Sequence, residues 1–194
     1  WNNFESILEV FKKLIDQGKI RYIGLSNETP WGFSEFLKIA EIKKLPRVVS
    51  VQNPYNLVNR SYEIGMSEIS IREKAGLLAY SPLAAGYLSG KYRNKQIPKN
   101  SRMDLFYENY PRYHNQRTYD AVDEYFKIAK KYKLSLTQLS QSFVNSRDFV
   151  TSNIIGATTM KQLKENIDSI NLSLNKNIVD EINLIHENIP NPAP

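Results

Sequence analysis

The strongest constraint in this sequence is a repeated change of hydrophobic period. Apolar residues recur at helical spacing, then run together in a short segment closed by a polar side chain, and the pattern begins again. Phe4, Ile7, Leu8, Phe11, Leu14 and Ile15 form a 3.6-residue stripe that Gly18 ends. Arg21 to Ser26 then reads as a short buried strand, and Thr29 before Pro30 marks a helix start within the turn residues Asn27 to Gly32. A second amphipathic helix carries Phe33, Phe36, Leu37 and Ala40. Arg47 to Val51 is rich in β-branched residues and closes on Gln52-Asn53-Pro54. Tyr62 to Lys74 reads as helix, Gly76 stops it, and Leu77 to Tyr80 is an apolar strand ended by Ser81-Pro82. The strand ends at Asn27, Gln52 and Tyr80 lie 25 and 28 residues apart. That interval holds a crossover helix between consecutive strands, and such crossovers force a parallel sheet.

Residues 84 to 117 break the rhythm with Gly86, Gly90, Pro98, Pro111 and many Tyr and Arg residues, which predicts a long excursion over the strand ends. Loops of that length are usually functional. Helices resume at Arg117 to Tyr132 and Leu136 to Asn145, followed by a fourth strand, Val150 to Ile155. Gly156-Ala157-Thr158-Thr159 then opens a helix with Leu163, Ile167 and Ile170, and Lys176 to Asn188 is a last helix. The expected class is α/β, with residues 1–194 as one unit. Four parallel strands with helices between them match either a small doubly wound sheet or half of a (βα)8 barrel, and a whole barrel takes about 250 residues.

Composition narrows the chemistry. The 194 residues are 41% apolar and 24% charged, which suits one globular core, and they include no cysteine. Disulfide scaffolds, thiolate nucleophiles, zinc ribbons and iron–sulfur sites are therefore excluded, and no metal site is expected. The absence of cysteine fits a cytoplasmic protein. No stretch approaches the roughly 18 apolar residues of a membrane span, so a soluble chain with no membrane partner is expected. The net charge of +6 is dispersed, and its densest groups, Lys43-Lys44 and Lys130-Lys131-Lys133, close helix-like segments where cations favour the macrodipole. Nucleic acid is not an expected partner. The opening Trp1-Asn2-Asn3 carries no basic or apolar leader pattern.

In parallel α/β folds, ligands gather at the carboxyl ends of the strands. Here those ends are Ser26-Asn27, Gln52-Asn53, Tyr80-Ser81 and Gly156-Ala157-Thr158. Each alone is an ordinary cap. Together, two amides, an aromatic ring and a glycine-opened helix suit a flat heterocycle bearing a carboxamide and a phosphate, the make-up of a nicotinamide dinucleotide. No G-x-G-x-x-G is present, so such a ligand would be held outside the Rossmann manner.

The same residues carry a resemblance. Gly18 to Asn27 (GKIRYIGLSN), Val51 to Tyr55 (VQNPY), Tyr80 to Tyr92 (YSPLAAGYLSGKY), and Ile155 to Thr159 (IGATT) with Gln162 and Glu165-Asn166 are similar in order and spacing to the aldo-keto reductase superfamily. Within it the pattern is most like the bacterial Tas-like branch, which is related to the potassium-channel β-subunits. The resemblance covers nearly the whole chain and assigns it to strands five to eight of a (βα)8 TIM-type barrel.

That resemblance implies NADP(H) as cofactor and a small-molecule aldehyde or ketone as substrate. Ser26, Asn27 and Gln52 would hold the nicotinamide carboxamide, and Tyr80 would stack on the ring. Ser81, Leu83, Gly86, Leu88 and Lys91 would form a loop over the pyrophosphate, while Ser101 and Arg102 would reach the adenosine end. Gly156, Thr158 and Gln162 would approach the 2′-phosphate region, and Glu165 with Asn166 would hydrogen-bond adenine.

Two departures follow. Gly156-Ala157 and Gln162 stand where many members carry Lys-Ser and Arg, which weakens the charged clamp on a 2′-phosphate by an ionic hydrogen bond of roughly 1.5–3 kcal/mol. The family's catalytic Asp, Tyr, Lys and His belong to the first half of the barrel, so no catalytic residue is assigned here. His114 and His186 sit at no strand end and read as solvent-exposed. The expectation is the cofactor-binding half of an NADPH-dependent reductase, the alternative a non-catalytic NADP(H)-binding interaction subunit. Half a barrel would also leave two unpaired strand edges and bare an apolar inner face, which favours association.

Overall fold

The computed structural model describes residues 3–194, so Trp1 and Asn2, with most of the leader pattern judged above, lie outside the described residues. The elements run α1 (Phe4–Asp16), β1 (Ile23–Ser26), α2 (Pro30–Lys43), β2 (Val48–Pro54), α3 (Met66–Glu73), β3 (Gly76–Tyr80), α4 (Arg102–Phe106), α5 (Gln116–Lys131), α6 (Leu136–Asn145), β4 (Val150–Asn153), α7 (Met160–Asp168) and α8 (Lys176–Asn188). The four strands form one parallel sheet in the order β1-β2-β3-β4. Sequential order without a reversal means there is no switch point of the doubly wound kind.

Register aligns the strand ends. Ser26 stands beside Gln52, Pro54 beside Tyr80, and Ala79 beside Asn153. Val51 and Leu77 are neighbours on the face that meets the helices, and both are fully buried there. The opposite face is bare. It carries Gly24, Ser50, Gly76 and Thr151 in one row and Ser26, Gln52, Leu78 and Ser152 in the next, all exposed or half-exposed. The inner face expected to be apolar is mixed: beside Leu78 these two rows hold hydroxyls, an amide and glycine, while Val49 on β2 and Ile154 just past β4 are exposed apolar residues. Both glycines leave room for a neighbouring hydroxyl, since a Cβ on Gly24 would come within 2.7 Å of Ser50 Oγ and one on Gly76 within 1.8 Å of Thr151 Oγ1.

Four local readings change. The helix expected over Tyr62 to Lys74 is broken by Gly65 at φ +84°, which separates a 3-10 turn at Ser61–Glu63 from α3. The first strand begins at Ile23 rather than Arg21, and the fourth ends at Asn153 rather than Ile155. Ile154 still donates its N–H to Ala79 O at 2.8 Å. Helix α7 begins at Met160, capped by Thr159, whose Oγ1 accepts from Gln162 N at 3.2 Å, so Gly156 to Thr158 precede the helix as loop. Asn166 of α7 and Ser169 of the 3-10 turn that follows it face inward, while Ile167 and Ile170 point to solvent.

The excursion folds into 3-10 turns and α4 around a tyrosine cluster. The Tyr87 ring lies 5.0 Å from Tyr92 and 5.3 Å from Tyr113. His114 belongs to this cluster and is half-buried, not solvent-exposed. Its Nε2 donates to Tyr107 O at 2.8 Å, which leaves Nδ1 to accept from the Tyr87 hydroxyl at 2.7 Å. His186 is likewise half-buried; burial first and the nearby Arg60 charge second push its pKa below the usual histidine value.

A second polar knot lies past β2. Arg60, only 7% exposed at its side chain, grips both Glu63 oxygens at 2.8 Å and donates to Asn183 Oδ1 at 2.9 Å. Burial would raise the Glu63 pKa, but its hydrogen bonds from Arg60 and Tyr55 outweigh that and hold it below the usual value.

Candidate functional site

The carboxyl ends of β3 and β4 open into a cleft of about 480 Å³. One wall is the loop after β3, the other the loop and first turns after β4, and α6 forms the floor through Thr137 and Gln141. The loop after β3 is held in an unusual backbone path: Ser81, Ala84 and Ala85 have φ of +55°, +48° and +54°, and Gly86 has +104°. Non-glycine residues in this region store strain, and they persist only where surrounding contacts fix them. Here Asn56 Nδ2 donates to Ser81 O at 3.0 Å, Gly86 N to Leu83 O at 2.8 Å, and Ser89 Oγ to Gly86 O at 2.7 Å. Gly86 is favoured there by its backbone, because φ +104° is a conformation that L side chains rarely adopt.

Of the residues singled out from sequence, the structure brings Tyr80, Ser81, Leu83, Gly86, Lys91, Ser101, Arg102, Gly156, Thr158, Gln162, Glu165 and Asn166 to this one cleft. Leu88 is fully buried beneath the loop and does not line it. Ser26, Asn27 and Gln52 stand on the neighbouring rim. They are tied to the cleft by Tyr80, whose hydroxyl donates to Asn27 Oδ1 at 2.8 Å, while Asn27 Nδ2 donates to Ser26 Oγ at 3.2 Å. Asn27 occupies left-handed backbone at φ +54°, which asparagine tolerates, and its N–H donates to Gln52 O at 2.9 Å.

The titratable residues lining the cleft are Tyr80, Lys91, Arg102 and Glu165. Among the described residues, neither Lys91 nor Arg102 forms an ion pair. Arg102 instead donates to the Tyr110 hydroxyl at 3.3 Å, and the Lys91 ammonium lies 5.1 Å from the Tyr92 ring centre. Two cations with no carboxylate partner beside a strained loop favour an anionic ligand.

The opposite wall is more committed. Glu165 accepts from Ser135 Oγ at 2.5 Å. Asn166, 5% exposed, donates to Gly156 O at 3.2 Å. Gln162 Oε1 accepts from Thr158 N at 2.9 Å and Thr158 Oγ1 at 3.0 Å, which leaves the Gln162 NH2 group facing outward as a donor. The sequence reading missed Ala85, Ser89, Asn100, Thr137, Gln141, Ile154 and Ile155 as lining residues. For Thr137 and Gln141 the sequence carried no clear signal, because six of the ten residues of α6 are polar and such a helix reads as having a solvated face.

A profile described as "Aldo/keto reductase family" matches residues 1–187. The chain is 46% identical over 177 residues to "Protein tas" of Escherichia coli (strain K12), covering 91% of this chain and 51% of that protein. It is 39% identical to the "Aldo-keto reductase" of Babesia bovis over 189 residues, covering 94% of this chain and 66% of that one. To the "Probable voltage-gated potassium channel subunit beta" of Oryza sativa subsp. japonica it is 31% identical over 193 residues, 96% of this chain and 58% of that one. The chain spans about half the length of the first of these relatives.

Proposed function

The chain belongs to the aldo/keto reductase family, and from that premise we propose that it forms strands five to eight of a (βα)8 barrel and holds NADP(H) for the reduction of a small aldehyde or ketone. The sequential sheet with one bare face supports the half-barrel assignment. The observation that carries the cofactor reading is the cleft between two loops, with Lys91 and Arg102 free of carboxylates on one side and the outward Gln162 amide on the other. Its size suits part of an extended dinucleotide, and its polar groups are mainly donors and cations, with Glu165 the one carboxylate in the lining and already accepting from Ser135 Oγ.

Bound there, the cofactor supplies a hydride to the carbonyl carbon. Tyr80 presents a half-buried ring at the end of β3, and its bond to Asn27 fixes that ring against the amide rim formed with Gln52. Ser26, Asn27 and Gln52 present hydroxyl and amide groups suited to a carboxamide. Lys91, Arg102 and the strained 81–91 loop would hold the phosphates, and the Gly156–Asn166 segment would hold the adenosine. The Tyr80 hydroxyl is already donating to Asn27, so proton delivery to the carbonyl oxygen is not assigned to this chain.

A second reading, a cofactor-binding interaction subunit without turnover, is favoured by the likeness to the rice channel subunit. One experiment separates the two: fluorescence titration of the complete protein with NADPH, followed by loss of reduced-nicotinamide absorbance with a simple aromatic aldehyde. Binding with turnover is expected. Binding without turnover would favour the second reading, and no binding would refute both.

A further inference from the structure

Helix α6 carries a side chain that the cofactor reading does not use. Gln141 is fully buried two residues from Leu139 and Phe143, where an apolar residue would pack without leaving polar atoms to satisfy. It is engaged on both sides. Its Oε1 accepts from Asn153 Nδ2 at 2.8 Å, and its Nε2 donates to Asn166 Oδ1 at 3.2 Å. Asn153 gives its other hydrogen to Asn145 Oδ1 at 2.9 Å, and Asn166 Nδ2 donates to Gly156 O at 3.2 Å.

The polarity of this relay is fixed by its last member. A backbone carbonyl can only accept, so Asn166 must turn its NH2 toward Gly156 and its oxygen toward Gln141. Gln141 must then present NH2 to Asn166 and oxygen to Asn153. One side chain thus ties the end of β4 to α7, and through Asn166 it holds the loop between them at Gly156. Asn153 Oδ1 is buried without a partner, so the relay contains an unpaired acceptor, while Gln141 and Asn166 each commit one of their two amide hydrogens within it.

We propose that Gln141 is a positioning residue for the adenosine half of the cofactor, acting through Asn166 on the loop Gly156 to Thr158. This rests on the cofactor reading above. Asn166 serves here by fixing Gly156, since its Oδ1 accepts from Gln141 and its Nδ2 donates to Gly156 O.

The test uses the complete protein with Gln141→Leu, and with Gln141→Met as the more adaptable replacement; whichever keeps a cooperative melt is compared with wild type. Two probes split the site: adenosine 2′,5′-bisphosphate by calorimetry, and reduced nicotinamide mononucleotide by fluorescence. Loss of the amide leaves Asn166 Oδ1 without its donor, so bisphosphate affinity is expected to fall about tenfold while mononucleotide affinity stays within about twofold. Unchanged bisphosphate affinity would overturn the inference, and so would an equal loss for both probes, which marks a general packing defect. If wild type bound neither probe, the cofactor reading itself would fail, and this inference with it.

Discussion

Replacing Gln162 by Arg adds a charge beside the proposed 2′-phosphate position and removes two bonds that Gln162 now makes. Its Oε1 accepts from Thr158 N at 2.9 Å and from Thr158 Oγ1 at 3.0 Å, both at exposed positions. A neutral, solvent-exposed pair of this kind is worth roughly 0.5 kcal/mol per bond, so their loss loosens the loop by about 1 kcal/mol for any cofactor. A charge-assisted bond from Arg to a 2′-phosphate returns roughly 1.5–3 kcal/mol, toward the lower end in salt. NADPH is therefore expected to bind about threefold tighter to Gln162→Arg and NADH about fivefold weaker, a selectivity change of at least about tenfold. The assay is fluorescence titration of both cofactors against wild type and variant at fixed ionic strength, repeated at higher salt, where the NADPH gain should shrink. Equal factors for the two cofactors would refute the placement of residue 162 beside the phosphate. A weaker NADPH would show that the Thr158 bonds matter more than the charge.

Arg60→Met leaves the Glu63 carboxylate in a half-buried site without its cation, a loss of about 3–5 kcal/mol. That should lower Tm by about 10 °C in differential scanning calorimetry, and a drop within about 2 °C would show that the pair is solvated. Glu63 has its pKa lowered by folding, so its contribution is complete above the unfolded value, 4.5, and is lost as pH falls through the lower folded value. Wild type should accordingly lose more Tm than Glu63→Gln between about pH 6 and pH 3, and parallel losses would refute the coupling. The isolated chain is expected to associate as concentration rises in sizing chromatography, because β1 and β4 both end the sheet with unpaired backbone; a monomer at all concentrations would refute this.

The strand ends were legible because short apolar runs closed by Ser26-Asn27, Gln52-Asn53 and Ser81-Pro82 carry their own punctuation. Register then placed Ser26 beside Gln52, as a parallel sheet requires. The cleft was legible as a set of residues but not as a geometry: Leu88 looks the same in sequence whether it faces a ligand or, as here, the core. Gln141 was hidden for a related reason. Ser140-Gln141-Ser142 reads as a solvated stretch of helix, and only the packing of α7 and β4 against α6 turns it inward. Ile167 and Ile170 failed in the opposite sense, since their helical spacing marked a buried stripe while Asn166 and Ser169 took the interior. Periodicity reports which residues share a face. Tertiary placement decides whether that face is wet.

The bare face of the sheet has a practical meaning. A cut through most protein cores exposes oil, and the pieces aggregate before they can meet again. Here the bare face offers Ser26, Ser50, Gln52, Thr151 and Ser152 with two glycines, beside the apolar Leu78 and the Tyr80 ring. What remains adhesive is the backbone at the two strand edges, which is directional and can be matched by another strand. Such a boundary suits reassembly from separately made pieces: fragments meeting along it recognise one another by hydrogen-bond register and shape, with little unspecific stickiness to compete.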